Sequence, residues 1–185
     1  CNYNAEAGGD DGSCDYSCHD NGDYSLSFDG LDDYVSFSDN NISSYSEHSM
    51  SALVYLEDYY SVGCDEYNSN MLSIIRKDGD FNLMTKNGYL YAEYFDLNGF
   101  KWAESNFRLN LNQLYSVSSF WNGQEISLYI DGELVTGESG YAVYDPILTD
   151  LYLGYSLQYC QSFNGDINEI MISIDSDVYG YWKFN

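Results

Sequence analysis

From Tyr24 onward, apolar and polar residues alternate in short runs with a period of two. Ile126, Leu128 and Ile130 fall on one side of such a run, and Ser127, Tyr129 and Asp131 on the other, which predicts one core face and one wetter face. Runs of this kind predict strands over 24-29, 33-38, 50-58, 71-76, 80-86, 89-95, 104-109, 114-121, 125-131, 133-136, 149-155, 166-174 and 179-184. Between them stand Asp78-Gly79, Asn87-Gly88, Asn98-Gly99, Asn122-Gly123 and Asp131-Gly132. These dipeptides supply the positive φ values that tight hairpins need, so the pattern is that of an antiparallel meander. No segment holds an apolar period of 3.6 over a dozen residues, and the single Pro146 falls in a connection. The expected fold is all-β, an antiparallel β-sandwich. Thirteen short strands exceed an immunoglobulin sandwich and suit a jelly roll.

Two parts are expected. Residues 1-23 hold Gly8-Gly9, Gly12 and Gly22 among Asn and Asp without alternation, a loop-built head that needs tying down. Residues 24-185 form the sandwich, with no internal repeat or linker. The chain has 185 residues, enough for one sandwich core and too few for two ordinary domains.

Charge narrows the partners. Six Lys and Arg against 30 Asp and Glu give a formal net charge of -24. Such a chain repels nucleic-acid phosphates and anionic lipid heads, and cations are its natural counter-partners. Its 44% hydrophobic and 18% aromatic content, including 21 Tyr, supplies the apolar surface for folding that a disordered acidic chain lacks. No apolar run approaches a membrane span, so direct membrane insertion is not expected. A chain that opens at Cys1 instead of Met reads as a processed product or an excised segment.

Cys1, Cys14 and Cys18 crowd the head, whereas Cys64 and Cys160 lie far apart in the sandwich. This spacing lacks the paired Cys-x-x-Cys units of a zinc site, and His19 and His48 do not complete one. Disulfides, and hence an extracellular setting, are the better reading. The preferred pairs are Cys1 with Cys14 and Cys64 with Cys160. That leaves Cys18 free or bonded outside the segment; pairs of Cys1 or Cys14 with Cys18 stay open. In the chain-entropy account a loop of about 15 residues contributes roughly 3 kcal/mol and one near 100 residues roughly 4.7 kcal/mol.

In the head, Asn2, Asn4 and Glu6 alternate, and Asp10-Asp11-Gly12 returns carboxylates after glycines. A hard Ca²⁺ ion takes 6 to 8 oxygens of this kind. Asn2, Asn4, Asp10 and Asp11 are the first candidates, with Glu6 as a further one; the spacing is not that of an EF-hand. A second acidic group is Asp29-Gly-Leu-Asp32-Asp33, whose three carboxylates within five residues repel one another unless a cation or wide solvation relieves them.

Ser27-Phe-Asp-Gly-Leu-Asp-Asp-Tyr-Val35, Leu128-Tyr-Ile-Asp-Gly-Glu-Leu-Val135, Leu153-Gly-Tyr155 and Phe163-Asn-Gly-Asp-Ile-Asn-Glu-Ile170 occur in this order. Together they resemble the laminin-G-like, concanavalin A-like lectin and glucanase family over roughly Tyr24 to Phe184. The resemblance implies a jelly-roll sandwich in which the Asp29 turn and the Gly165-Asp-Ile-Asn-Glu169 strand meet near a sheet edge and hold a structural Ca²⁺. It carries over Asp29, Asp32 and Glu169 as metal ligands, and Asp166 is a local addition. Cys1-Asn-Tyr-Asn through Cys14-Asp-Tyr16 likewise resembles a short cysteine-bounded element of secreted multidomain surface proteins of marine bacteria. Fold alone does not fix function in such a family.

Enzymatic readings fare poorly. The Glu-x-Asp-x-x-Glu strand of related glucanases is absent. In a regular strand the separation of Asp166 and Glu169 sends their side chains to opposite faces. No Gly-x-Ser-x-Gly elbow, triad context for His19 or His48, or phosphate cradle is present. The expectation is a non-catalytic, calcium-stabilised extracellular adhesion or carbohydrate-binding module of a larger cell-surface protein. Its partners would be glycans, cell-surface proteins or further copies of itself. Tyr59, Tyr60, Tyr67, Tyr155 and Tyr159 are the sugar-stacking candidates, with Trp102 and Trp121 as others that a core could also claim; a Cys64-Cys160 bond would gather the tyrosines on one acidic rim. The alternative is a purely structural domain of a surface filament or virion. It draws on Cys18, on the terminal strand Tyr179-Gly-Tyr-Trp-Lys-Phe184, which resembles the family's pairing strand, and on the formal sequon Asn41-Ile-Ser43.

Overall fold

The structure, a computed structural model, describes residues 25–38, 47–62, 70–96, 99–143, 150–156, 161–175 and 177–183. Fourteen strands follow in order: β1 Leu26–Asp29, β2 Val35–Phe37, β3 His48–Leu56, β4 Met71–Lys77, β5 Phe81–Lys86, β6 Tyr89–Asp96 and β7 Gly99–Arg108. The rest are β8 Leu114–Trp121, β9 Ile126–Ile130, β10 Glu133–Leu134, β11 Thr136–Ala142, β12 Leu151–Leu153, β13 Asn164–Ile174 and β14 Asp177–Trp182. They build two seven-stranded sheets. One runs β1-β13-β3-β8-β9-β10 with β14 also on β13; the other runs β11-β7-β6-β5-β4-β12-β2. Every pairing is antiparallel, and the molecule is an all-β, two-sheet jelly-roll sandwich of the concanavalin A-like type.

The period-two pattern explains the core. Along β3, His48, Met50, Ala52, Val54 and Leu56 point inward, and along β9 Ile126, Leu128 and Ile130 do so, as their alternation predicts. The second sheet supplies Leu72, Ile75, Phe81, Leu83, Leu90, Ala92 and Tyr94 to the same cluster. Tyr94 crosses between the layers: its hydroxyl meets Ser119 Oγ at 2.9 Å and its ring stacks on Trp121. Burial holds its phenol well above the usual range. Hairpin chemistry also follows the sequence. Asn87-Gly88 has φ of 52° and 81° and Asp131-Gly132 has 51° and 79°, both residues positive as a type I′ turn requires.

Two departures have local causes. Thr136–Ala142 forms an edge strand although its Gly-rich, polar sequence carries no alternation, because pairing with β7 satisfies its backbone. Strand β13 carries a bulge between Asn168 and Met171, with Glu169 at φ 47°. The inserted residue resets the phase, so the core is filled by Ile167 before it and by Ile170 and Ile172 after it.

A candidate acidic and aromatic rim

At one end of the sandwich the β1–β2 turn, the loop after β3 and the connection between β12 and β13 close on one another. Val62 N donates to Gly30 O at 2.7 Å, and Ser61 Oγ donates to Ser162 O at 2.9 Å. Ser162 Oγ in turn donates to Leu31 O. Within the turn, Leu31 N donates to Asp29 Oδ1 at 2.8 Å and Asp29 N to Asp33 Oδ2 at 3.1 Å. These bonds fold the acidic run on itself. Carboxylate oxygens of Asp29, Asp32 and Asp33 lie within 4.8 Å of one another, all three residues exposed. Such a group fits a hard cation with oxygen ligands.

Aromatic residues flank it. β2 pairs with β12 through Leu153 and Val35, which sets Tyr34 beside the end of β12. The Tyr34 ring stacks on Tyr155 at 5.8 Å and 26° and meets Tyr152 edge-on at 5.8 Å. Leu31, Tyr34, Tyr60 and Val62 are each about half exposed, at 45, 51, 50 and 49%. A row of exposed apolar groups around clustered carboxylates is an unusual surface for a soluble domain and suits a binding rim. Tyr34 was missed by the sequence reading, which placed it inside a strand. Its signal was the phase: Val35 points inward, so its neighbour points out.

The remaining candidates divide. Asp29 and Asp32 come together, and Asp33 joins them. Glu169 does not. Asp29 pairs with Asn164, and Glu169 lies five residues further along β13, about 16 Å away at strand rise, where it is ion-paired with Lys183 at 3.4 Å. Asp166 pairs with Ser27, two residues before Asp29. The β13 bulge also corrects the expectation that Asp166 and Glu169 face apart: both line one shallow depression with Asn168, Leu53 and Tyr55 on the outer sheet surface. Tyr60 and Tyr155 belong to the rim. Tyr59 is instead packed into the scaffold: its hydroxyl donates to Leu109 O at 2.8 Å and the Arg108 guanidinium sits 3.9 Å from its ring centroid. Its ring lies over Gly88, where any Cβ would fall 2.4 Å from it. Trp121 is core, at 3% exposure. Asn2, Asn4, Glu6, Asp10, Asp11, Tyr67, Tyr159, Asn41 and all five cysteines, with their disulfides, lie outside the described residues.

From the rim a polar row crosses the outer face of the second sheet, Tyr152 opposite Arg76, Arg76 opposite Asn82, Asn82 opposite Glu93 and Glu93 opposite Trp102. Arg76 Nε donates to Asp78 at 2.7 Å and Asn82 Nδ2 to Glu93 at 2.7 Å, and Arg76 also bonds Gln161. Burial pushes both carboxyl groups above their ordinary range, and Arg76 opposes the shift.

Residues 28–175 match the concanavalin A-like lectin/glucanases superfamily, and the chain belongs to this family. Solved structures of similar fold include domains LG4-5 of the mouse laminin alpha1 chain, at 12% identity and a TM-score of 0.58 over 86% of this chain and 44% of that one. A candidate carbohydrate-binding protein of Bacteroides ovatus is similar at 15% identity and a TM-score of 0.61, over 86% and 50%. The binding domain of botulinum neurotoxin serotype D is similar at 20% identity and a TM-score of 0.50, over 84% and 39%. The chain thus spans half or less of each of these. No curated protein matches the chain in sequence. Among the described residues no helix is long and apolar enough to cross a membrane.

Proposed function

We propose that this chain is a non-catalytic, extracellular adhesion or carbohydrate-binding module of a larger surface protein, and that its rim is the ligand site. The observation that carries this reading is the acidic group of Asp29, Asp32 and Asp33 beside the exposed rings of Tyr34 and Tyr60. Ca²⁺ at the carboxylates would cancel their repulsion and fix the turn, while the aromatic and apolar groups meet the carbon face of a sugar. The family membership and the fold shared with laminin LG domains and with the Bacteroides protein support the class. Asn2, Asn4, Asp10 and Asp11 form a second proposed Ca²⁺ site, in a head closed by the Cys1–Cys14 bond, and Cys64–Cys160 would tie the loop after β3 to the rim. A glycan array read with Ca²⁺ and with chelator tests the proposal. Binding that needs Ca²⁺ and is lost in Asp32→Asn supports it; absence of any Ca²⁺-dependent binding, or Ca²⁺-dependent binding unchanged in Asp32→Asn, sinks it.

A purely structural role in a surface assembly has one observation in its favour. β14 leaves Val178, Tyr179 and Tyr181 exposed at 60, 43 and 55% on a strand that, among the described residues, pairs with β13 alone. Concentration-dependent association abolished by Tyr181→Lys, without glycan binding, would favour it.

A further inference from the structure

Five Asn-Gly steps occur in the chain, at Asn21, Asn87, Asn98, Asn122 and Asn164. Asn21 and Asn98 lie outside the described residues. The other three sit in different surroundings. Asn164-Gly165 is held in β13: Asn164 O accepts from Glu57 N at 3.0 Å, Gly165 pairs with Phe28 and with Leu56, and a Cβ on Gly165 would fall 2.0 Å from Tyr55 O. Asn87-Gly88 is held as firmly. Asn87 N donates to Asn70 O at 2.8 Å, Asn87 O accepts from Arg108 Nε at 2.7 Å, Gly88 O accepts from Leu109 N at 2.9 Å, and the Tyr59 ring covers Gly88. Asn122-Gly123 is open. It begins the turn that follows the last pair of β8 and β9, Trp121 with Ile126, and both residues are exposed, with nothing within 4 Å of a Cβ placed on Gly123.

The side chain of Asn122 is fixed although it is exposed. Its Oδ1 accepts from Gln124 N at 2.9 Å and from Glu125 N at 2.8 Å. Two backbone N–H groups at such distances from one carbonyl oxygen stabilise the oxyanion that forms when a nucleophile adds to the carbon. Gly123 N is the nucleophile whose attack on Cγ closes a five-membered ring, and its residue carries no side chain to shield it. We propose that Asn122 is a self-modifying site, at which the folded turn promotes succinimide formation and deamidation. Gly123 N forms a bond to Asn122 Cγ, and the Cγ–Nδ2 bond breaks, so that Nδ2 leaves as ammonia with the proton from Gly123 N. Water then opens the ring. Addition at Cγ breaks the new bond and gives aspartate at this position; addition at the main-chain carbonyl gives isoaspartate, which carries the chain through Cβ and Cγ. Either product adds one negative charge to a chain of net charge -24. The aspartate keeps both N–H bonds, now to a carboxylate, which strengthens them. Isoaspartate lengthens the turn by one carbon.

Incubation of the whole chain at mildly alkaline pH, folded in buffer and unfolded in guanidinium chloride, tests this. Each Asn-Gly peptide is followed by mass spectrometry, with isoaspartate separated from aspartate by chromatography. The unfolded chain gives the reactivity of the bare dipeptide, so the ratio of the two rates isolates what the turn adds. Asn122 is expected to convert at least as fast in the folded chain as in the unfolded one, and at least tenfold faster than Asn87 or Asn164 in the folded chain. Slower conversion of Asn122 in the folded chain than in the unfolded one would overturn the proposal. A preference for Asn122 over Asn87 or Asn164 of less than tenfold in the folded chain would do so as well.

Discussion

Tyr34 and Tyr155, 121 positions apart in the chain, stack with ring centroids 5.8 Å apart and planes 26° from parallel. The pairing of β2 with β12 brings them together, and neither ring enters the core cluster. Tyr34→Ala should therefore leave the fold standing, with a melting temperature lowered by a few degrees at most, while glycan binding at the rim weakens tenfold or more. A melt and a binding isotherm on the same variant separate the two effects.

Tyr59 should behave in the opposite way. Its hydroxyl bond to Leu109 O and its place between Arg108 and Gly88 make it part of the scaffold. Tyr59→Phe should cost about 1 kcal/mol and Tyr59→Ala about 3 kcal/mol in denaturant unfolding. Rim binding, measured where both variants are folded, should match the parent.

His48 makes the fold acid-sensitive. The imidazole is 1% exposed against Phe81 and Tyr94, and neither ring nitrogen has a partner among the described residues. Burial, with Lys77 nearby, lowers its pKa from 6.5 to about 4. The folded state thus keeps the ring neutral where the unfolded chain already takes up a proton. Stability is full above pH 6.5 and falls as the pH drops from 6.5 toward 4, by up to about 3 kcal/mol. His48→Phe should flatten this slope. The check is the difference between the two proteins' urea unfolding energies at pH 7 and pH 4.5, which removes the contribution of the shared carboxylates.

Arg76 holds the polar row together. Its guanidinium pairs with Asp78 at 2.7 Å with both side chains nearly inaccessible, so Arg76→Met removes the counter-charge of a buried carboxyl. The expected loss is about 3 to 5 kcal/mol, largest near neutral pH where Asp78 would have to be charged. Asp78→Asn added to the same chain should restore part of it, measured by denaturant unfolding.

The strands and hairpins were legible because a sandwich with one wet face writes its core as alternation, as in Ile126, Leu128 and Ile130, and its turns as Asn-Gly or Asp-Gly. β11 was not, since Thr136 to Ala142 forms a strand through pairing with β7 and not through side chains it buries. The phase change in β13 was hidden for the same reason. A bulge at Asn168 and Glu169 costs one residue of register and leaves no mark in composition, yet it decides which face Glu169 shares. At the rim, Asp29 and Asp32 could be read from local charge crowding. The roles of Tyr34 and Tyr59 depended on contacts with residues 155, 108 and 88, which no local pattern shows.

Calcium dependence of the fold tests the account most directly. Melts of the parent chain and of Asp29→Asn/Asp32→Asn should be compared in Ca²⁺ and in sodium chloride of matched ionic strength, because screening alone treats the two salts alike. At a hundredfold excess over Kd, specific binding adds about 2.7 kcal/mol, a rise of roughly 5 to 10 °C for a chain of this size. The account predicts that rise for the parent in Ca²⁺ and a clearly smaller one for the double variant. Equal melts of the parent in the two salts, or an identical Ca²⁺ shift in the double variant, would contradict it.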